Sequence, residues 1–284
     1  MSKFEIPTDE IKALQNVSLN MCLFFDEFCK KHGLTYFLCG GCCIGAVRTG
    51  GFIPWDDDVD VFMPRKDYEH FISLWEDTEK YEIQYTTKDF NFCCPFVNIC
   101  DKTTTFIKTY RKDLDISHGV ALDILPLDGC PTGFKRKMQK LYALAFSLFN
   151  VGKAPDNHGG LVNLIGKIAL KLISSEKLRY KIWKFCEKQM TKYPIEKCDY
   201  ITELCSGPHY MQNEYPKEAF AEEKRVLFEN YLLPIPADYD AYLTMAFGDY
   251  MSLPPEEKRV CHHEHEFLDL ENGYLKYKGI YYLN

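Results

Sequence analysis

The run Gly51–Val61 reads Gly-Phe-Ile-Pro-Trp-Asp-Asp-Asp-Val-Asp-Val and places four carboxylates within five residues, ten residues after the pair Gly40-Gly41. Like charges packed this closely repel, so folding alone gives little reason to gather them. A divalent cation that takes hard oxygen ligands does. Val59 and Val61 alternate with Asp58 and Asp60, the period-2 pattern of a strand with one buried face. On such a strand Asp58 and Asp60 project from the same side and can share one Mg²⁺. Asp56 has the same parity, but Pro54 and Trp55 ahead of it spell a turn, and a charged residue separates it from Asp58. Asp58 and Asp60 are therefore the expected metal pair, with Asp56 behind them. A solvated acidic turn, the ordinary fate of an Asp run, is disfavoured by the flanking apolar residues and the glycines.

Composition bounds the setting. With 46% apolar and 15% aromatic residues over 284 positions the chain can fill a core, which excludes global disorder. A net charge of -7 argues against nonspecific nucleic-acid binding, and no nucleic-acid partner is expected. Met1–Glu10 lacks the apolar core of a signal peptide, and no apolar run is long enough to span a bilayer. The expected location is cytoplasmic. The thirteen cysteines then read as buried reduced thiols acting as small hydrophobes. Cys39-Gly-Gly-Cys42 has C-x-x-C spacing, but no second such pair answers it. Cys261-His262-His263-Glu264-His265 is too close-packed for a tetrahedral zinc site without ligands from elsewhere. No structural zinc is expected.

Along the chain, apolar residues recur at helical spacing from Asp9 to His32, and Gly33 is the stop. A strand over Thr35–Cys39, a turn at Gly40-Gly41 and a short helix over Cys43–Thr49 follow. The acidic strand Asp58–Met63 leads to a helix over Arg65–Trp75. Strands are expected over Tyr81–Thr86, Phe96–Cys100, Thr104–Lys108 and Val120–Leu125. Helices are expected over 134–150, 160–173 and 176–192, and prolines punctuate the remainder. Between Phe134 and Tyr193 thirteen Lys and Arg face three Asp and Glu, a balance of +10 that leaves the rest of the chain near -17. Leu161, Leu164, Ile165, Ile168, Leu172 and Ile173 form an apolar stripe beside Lys167 and Lys171. Two readings stand: a core-packing helix with a solvated lysine face, or a basic amphipathic surface for anionic lipid or a polyanionic acceptor.

A glycine turn followed by an Asp-x-Asp strand has the shape of a nucleotidyltransferase-type active site. Glycines let backbone N–H groups approach phosphate, and the two aspartates hold Mg²⁺, or Mn²⁺ in its place, against the phosphate oxygens. Such a site wants a third carboxylate as ligand or base. Asp123 stands alone in the apolar strand Val120–Leu125, where burying an unpaired carboxylate is costly unless a cation or hydrogen-bond network meets it. It is the expected third ligand. Arg48, seven residues past Gly41, offers a fork for a pyrophosphate or for the transferred phosphate.

The segment Gly40–Val61, with its Gly-Gly-x-x-Ile-Gly-Ala-Val-Arg-x-x-Gly-Phe-Ile-Pro-Trp-Asp-Asp-Asp-Val-Asp-Val pattern, resembles the signature of the LicD family. So do Asp101-Lys102 ahead of a Thr run, Leu122–Gly129, and Phe247–Met251 with Pro254-Pro255 downstream. One departure is Cys42-Cys43-Ile44 where the family commonly has Thr-Leu-Leu, which removes a hydroxyl beside the phosphate. The resemblance implies an α+β fold: a nucleotidyltransferase-like mixed sheet core with flanking helices over 1–130. A mostly helical region over 131–284 then packs on the core and completes the substrate site. It implies transfer of a phosphoryl-alcohol group, typically phosphocholine from CDP-choline, onto a glycan such as a teichoic acid or lipopolysaccharide unit, with release of CMP. It further implies that Lys102 and Asp128 line the site mouth and that His262 or His263 lies at the donor or acceptor pocket. The partners are then a CDP-alcohol donor and a glycan or lipid-linked glycan acceptor; peripheral contact with an anionic membrane at its inner face is the expectation the basic stretch 134–193 adds. Two other readings stay open: a true nucleotidyltransferase acting on a sugar or aminoglycoside hydroxyl, and a catalytically silent binding module of this fold.

Overall fold

The computed structural model describes residue 6 and residues 8–153, 160–261 and 263–284, the side chains of 8 and 160–162 excepted. In chain order the helices are α1 (Thr8–His32), α2 (Gly40–Arg48), α3 (Arg65–Leu74), α4 (Gly133–Val151), α5 (Gly160–Leu172), α6 (Glu176–Met190) and α7 (Tyr239–Phe247). The strands are β1 (Phe37–Leu38), β2 (Val59–Pro64), β3 (Tyr81–Gln84), β4 (Val97–Asp101), β5 (Thr105–Lys108) and β6 (Ala121–Cys130), then β7 (Tyr200–Glu203), β8 (Tyr215–Pro216), β9 (Glu223–Phe228), β10 (Tyr231–Pro236) and β11 (His265–Asp269). The α+β expectation holds. Contacts divide the chain into two compact units, one of Met1–Gln84, Asn98–Ile124 and Glu218–Asn284, the other of Tyr85–Val97 and Leu125–Lys217.

In the first unit, α1 carries acids in its first turn and Lys30, Lys31 and His32 in its last, matching the helix dipole. It ends where Gly33 takes φ +65. Its buried stripe includes Leu14, Met21 and Phe25. Phe25 and Phe28 meet Phe71 of α3 edge to face at 5.5 and 5.6 Å. Trp75, an aromatic that could have served a cationic ligand, is instead packed on Phe71 and Phe28 at 5.3 Å each. The strands order as β1-β2-β6-β4-β3. β1 pairs antiparallel with β2 through Phe37↔Phe62 and Leu38↔Val61, so Val59, Val61 and Met63 are buried as the alternation requires. β5 pairs separately with β11, with Lys108 opposite His265.

Two expectations change here. Gly40-Gly41 is no free turn but the first turn of α2, which starts three residues before the expected Cys43. Gly40 at φ +52 lets the chain pass from β1 directly into the helix, a conformation that L side chains resist. The expected division at 130/131 also shifts, to 124/125, and residues 218–284 return to the first unit. Helices α4, α5 and α6 fall in the other unit, whereas the return segment includes the β9–β10 hairpin, α7 and β11. Aromatic edges hold it: Phe220 on Phe37 at 5.5 Å, Phe228 on Phe52 at 4.8 Å and Tyr242 on Phe62 at 5.5 Å.

In the second unit, α4 and α6 pack through Phe146 and Trp183, whose ring centroids lie 5.5 Å apart, over a core that includes Ala143, Met190 and Leu204. Arg136 is buried here with its charge met by Glu214 at 3.1 Å, Gln139 at 2.8 Å and the Met211 carbonyl at 2.6 Å. The end of β6 pairs with β7 from Leu127↔Glu203 to Cys130↔Tyr200. α5 turns Ala169, Leu170 and Ile173 onto the core. Leu164, Ile165, Ile168 and Leu172 of the apolar stripe face outward, while the side chain of Leu161 lies outside the described residues. Eleven of the thirteen cysteines are buried, and Cys93 and Cys94 are half-buried. Among the described residues no helix is long and apolar enough to cross a membrane.

Candidate functional site

The site is built where α2 begins beside the acidic loop and β2, all within the first unit. Three long-range contacts shape the loop. Gln15 of α1 donates to the carbonyls of Ile53 (3.1 Å) and Asp56 (2.9 Å). The Phe52 N–H donates to Glu229 Oε1 at 2.9 Å, and the Glu229 N–H donates to the Gly50 carbonyl at 2.9 Å. Tyr242 of α7 accepts the Gly40 N–H at 3.0 Å. Gly41 is required for space: a Cβ there would lie 2.2 Å from Asp56 Oδ2 and 3.1 Å from its Cγ. The Asp56 carboxylate thus rests on the glycine backbone at the start of α2. Cys42 donates its thiol to the Asp58 carbonyl at 3.6 Å; burial first, then Asp56, Asp60 and Asp58, push this thiol well up, so it stays neutral.

Asp56 and Asp57 are buried, and Asp58, Asp60 and Asp123 are half-buried. Burial raises the Asp60 carboxyl well above the usual range, with Asp58, Asp123 and Asp56 adding repulsion and Lys108 opposing. Asp58 is raised by burial against the pull of His263 and Lys108, and Asp56 is raised by burial and by Asp58 and Asp57. Burial works to lower the Lys108 ammonium, yet Tyr110, Asp123, Asp58 and Asp57 outweigh it and push it up. Asp58, Asp60 and Asp123 therefore feel one another and share Lys108. The Asp57 carboxylate accepts the His263 N–H at 3.2 Å and lies 3.3 Å from His263 Nδ1, which is also 3.5 Å from Asp58 Oδ2. Ligand atoms of Asp57, Asp58 and His263 all fall within 4.8 Å of one another. Five carboxylates against Lys108 and one imidazole leave an excess of hard oxygen donors and negative charge, which fits a divalent cation of the Mg²⁺ class.

The other expected site residues fall differently. Arg48 donates from Nη1 to the carbonyls of Tyr250 (3.3 Å) and Ser252 (3.5 Å), and its buried Nε has no hydrogen-bond partner among the described residues. Lys102 donates to the Thr78 carbonyl at 2.6 Å. Asp128 lies in the second unit, where its charge helps raise Glu203. His262 lies outside the described residues. Sequence reasoning passed over Lys108, Asp57 as the His263 partner, and Tyr242. A lone Lys closing Thr-Phe-Ile-Lys carries no local signal, and the pairing of β5 with β11 is what brings residues 263–265 to it.

Residues 33–127, the segment holding α2, the acidic loop, β2 and Asp123, match the family described as LicD/FKTN/FKRP, nucleotidyltransferase domain. The chain is also 32% identical over 267 residues to the lipopolysaccharide cholinephosphotransferase LicD of Haemophilus influenzae, an alignment that covers 90% of this chain and 97% of that relative. The chain belongs to the LicD family.

Proposed function

We propose that this protein transfers phosphocholine from CDP-choline to a hydroxyl of a cell-surface glycan precursor, a lipopolysaccharide or teichoic acid unit, and releases CMP. What carries this reading is 32% identity over nearly the whole chain to a cholinephosphotransferase, together with an acidic centre in which Asp57, Asp58 and His263 gather and Asp60 and Asp123 add charge opposed by Lys108. Asp58, Asp60 and Asp123 would hold Mg²⁺, with Asp56 behind them. The cation would neutralise charge on the phosphoryl oxygens of the donor. Lys108 adds a fixed positive charge to the same cluster, available to the phosphate that is transferred. Gly41, lacking a Cβ, lets the Asp56 carboxylate lie against the start of α2, behind the metal set. The acceptor oxygen attacks the phosphorus that bears choline, the bond from that phosphorus to the CMP oxygen breaks, and CMP departs with the electron pair. A carboxylate of the cluster takes the acceptor proton. Lipid-linked precursors on the cytoplasmic face of the membrane are the acceptors this scheme calls for.

The test is incubation of purified protein with Mg²⁺, a glycan acceptor and a panel of CDP-alcohols. The expected product is acceptor-dependent CMP, greatest with CDP-choline. Turnover of a nucleoside triphosphate to pyrophosphate, with no CMP from any CDP-alcohol, would replace this reading with a true nucleotidyltransferase.

A further inference from the structure

α5 carries two apolar faces. Gly166, Ala169, Leu170 and Ile173 turn inward, and the last three pack on the core of the second unit. On the opposite side Leu164, Ile165, Ile168 and Leu172 are 53, 58, 49 and 79% exposed. At about 100° per residue these four lie within one arc of about 100°, so they form a single outward stripe. Lys167 and Lys171, both exposed, border it on one side, and α5 contains no acidic residue. A helix satisfied by its own core would not present four large aliphatic side chains to water on its far side.

We infer that the outward stripe of α5 seats this protein in the headgroup region of an anionic bilayer, with Lys167 and Lys171 at the lipid phosphates. An apolar stripe edged by lysines is the pattern of an interfacial helix, in which acyl-chain contact and attraction to anionic lipid act together. The next helix, α6, also exposes Lys181, Lys188, Leu178 and Phe185. A second copy of this chain is the poorer occupant, because stripe-on-stripe contact offers Lys167 and Lys171 no acidic group on the facing α5. This inference goes beyond the proposed reaction and does not depend on it.

Co-sedimentation of the full chain with vesicles of phosphatidylethanolamine and phosphatidylglycerol, against vesicles of phosphatidylcholine alone, tests it. Binding is expected to the anionic vesicles at low salt and to weaken at high salt. Lys167→Gln with Lys171→Gln should weaken binding roughly fivefold per lysine. Leu164→Ser with Ile168→Ser and Leu172→Ser, all at exposed positions, should abolish it while circular dichroism stays unchanged. CMP release with a short soluble acceptor should be the same in all three proteins, so failure of the reaction and failure of docking read out separately. Parent protein that ignores anionic vesicles, or serine and glutamine variants that bind like the parent, would overturn the inference. Light scattering that finds a dimer, dispersed by the serine substitutions and indifferent to lipid, would assign the stripe to self-association instead.

Discussion

Asp57 holds His263 at two points, its carboxylate meeting the backbone N–H at 3.2 Å and the ring Nδ1 at 3.3 Å, across 206 positions of chain. The Asp57 side chain is fully buried and the imidazole only partly so, which makes the carboxylate the anchor and the ring the presented group. Asp57→Ala should therefore cost about as much turnover as His263→Ala, roughly ten- to a hundredfold. The double variant should lose little more, because both changes remove the same presented ring. Additive losses in CMP release would show that the two residues act independently.

Asn at Asp58, Asp60 or Asp123 should each reduce turnover by about a thousandfold, on the order of 4 kcal/mol of barrier. The same clustering predicts an opposite effect on the metal-free fold. Asp60 is raised by burial and by three neighbouring carboxylates, so Asp60→Asn relieves repulsion and should melt higher than the parent without metal. Mg²⁺ should raise the melting temperature of the parent and leave this variant nearly unmoved. Near-parental CMP release from Asp123→Asn would remove Asp123 from the metal set.

Lys108→Met leaves Asp57, Asp58 and Asp123 without a charge that now opposes their repulsion. Near neutral pH this variant should melt below the parent. The deficit should shrink in mild acid, because Asp56, Asp58 and Asp60, all raised in the fold, take up protons there. Melting curves at the two pH values decide it; an equal deficit at both would mean that Lys108 acts only by packing.

Gly41→Ala drives a methyl group to 2.2 Å from Asp56 Oδ2, and Asp56 is buried with little room to yield. Turnover should fall by about a hundredfold and the metal-induced rise in melting temperature should diminish. Gly33→Ala, at φ +65 but with no atom within 4 Å of the added carbon, is the control: its cost of about 1 kcal/mol should appear in stability alone.

Glu203 predicts a pH slope in the second unit. Burial first, together with the Asp128 charge, raises its carboxyl from 4.5 to about 7, even though the N–H groups of Cys205 and Ser206 donate to it. The folded state thus binds this proton more tightly than the unfolded chain does. Its contribution is complete below pH 4.5 and is lost as pH rises to about 7, at most on the order of 3 kcal/mol. Glu203→Gln should flatten the dependence of unfolding on pH across that window, measured by denaturant titration.

Local chemistry was readable where it acts over a few residues. The alternation of Val59 and Val61 with Asp58 and Asp60 marked β2, Gly33 marked the end of α1, and the solitary carboxylate in Val120–Leu125 marked Asp123 as a group needing company. What could not be read are partnerships made at a distance. Nothing near Glu229-Asn230 announces a hairpin, since both residues adopt positive φ without glycine, and Pro234 and Pro236 argue against a strand that nevertheless forms as β10. α5 left two readings open. Its apolar periodicity was correct, but a pattern along one helix cannot say which of two apolar faces the core will take.

The hairpin turn also sets an order of events at the ribosome. The four carboxylates of the acidic run emerge early, whereas Glu229, Tyr242 and His263 follow much later, at 177 to 206 residues from their partners Phe52, Gly40 and Asp57. Until then the nascent segment is a run of like charges with its turn unclosed, and closure must await contacts of high sequence separation. The protein therefore cannot assemble its charged centre on a partial chain. A message truncated before codon 229 yields a product that has every aspartate of the centre, with Gln15 and Lys108, but lacks Glu229, Tyr242 and His263.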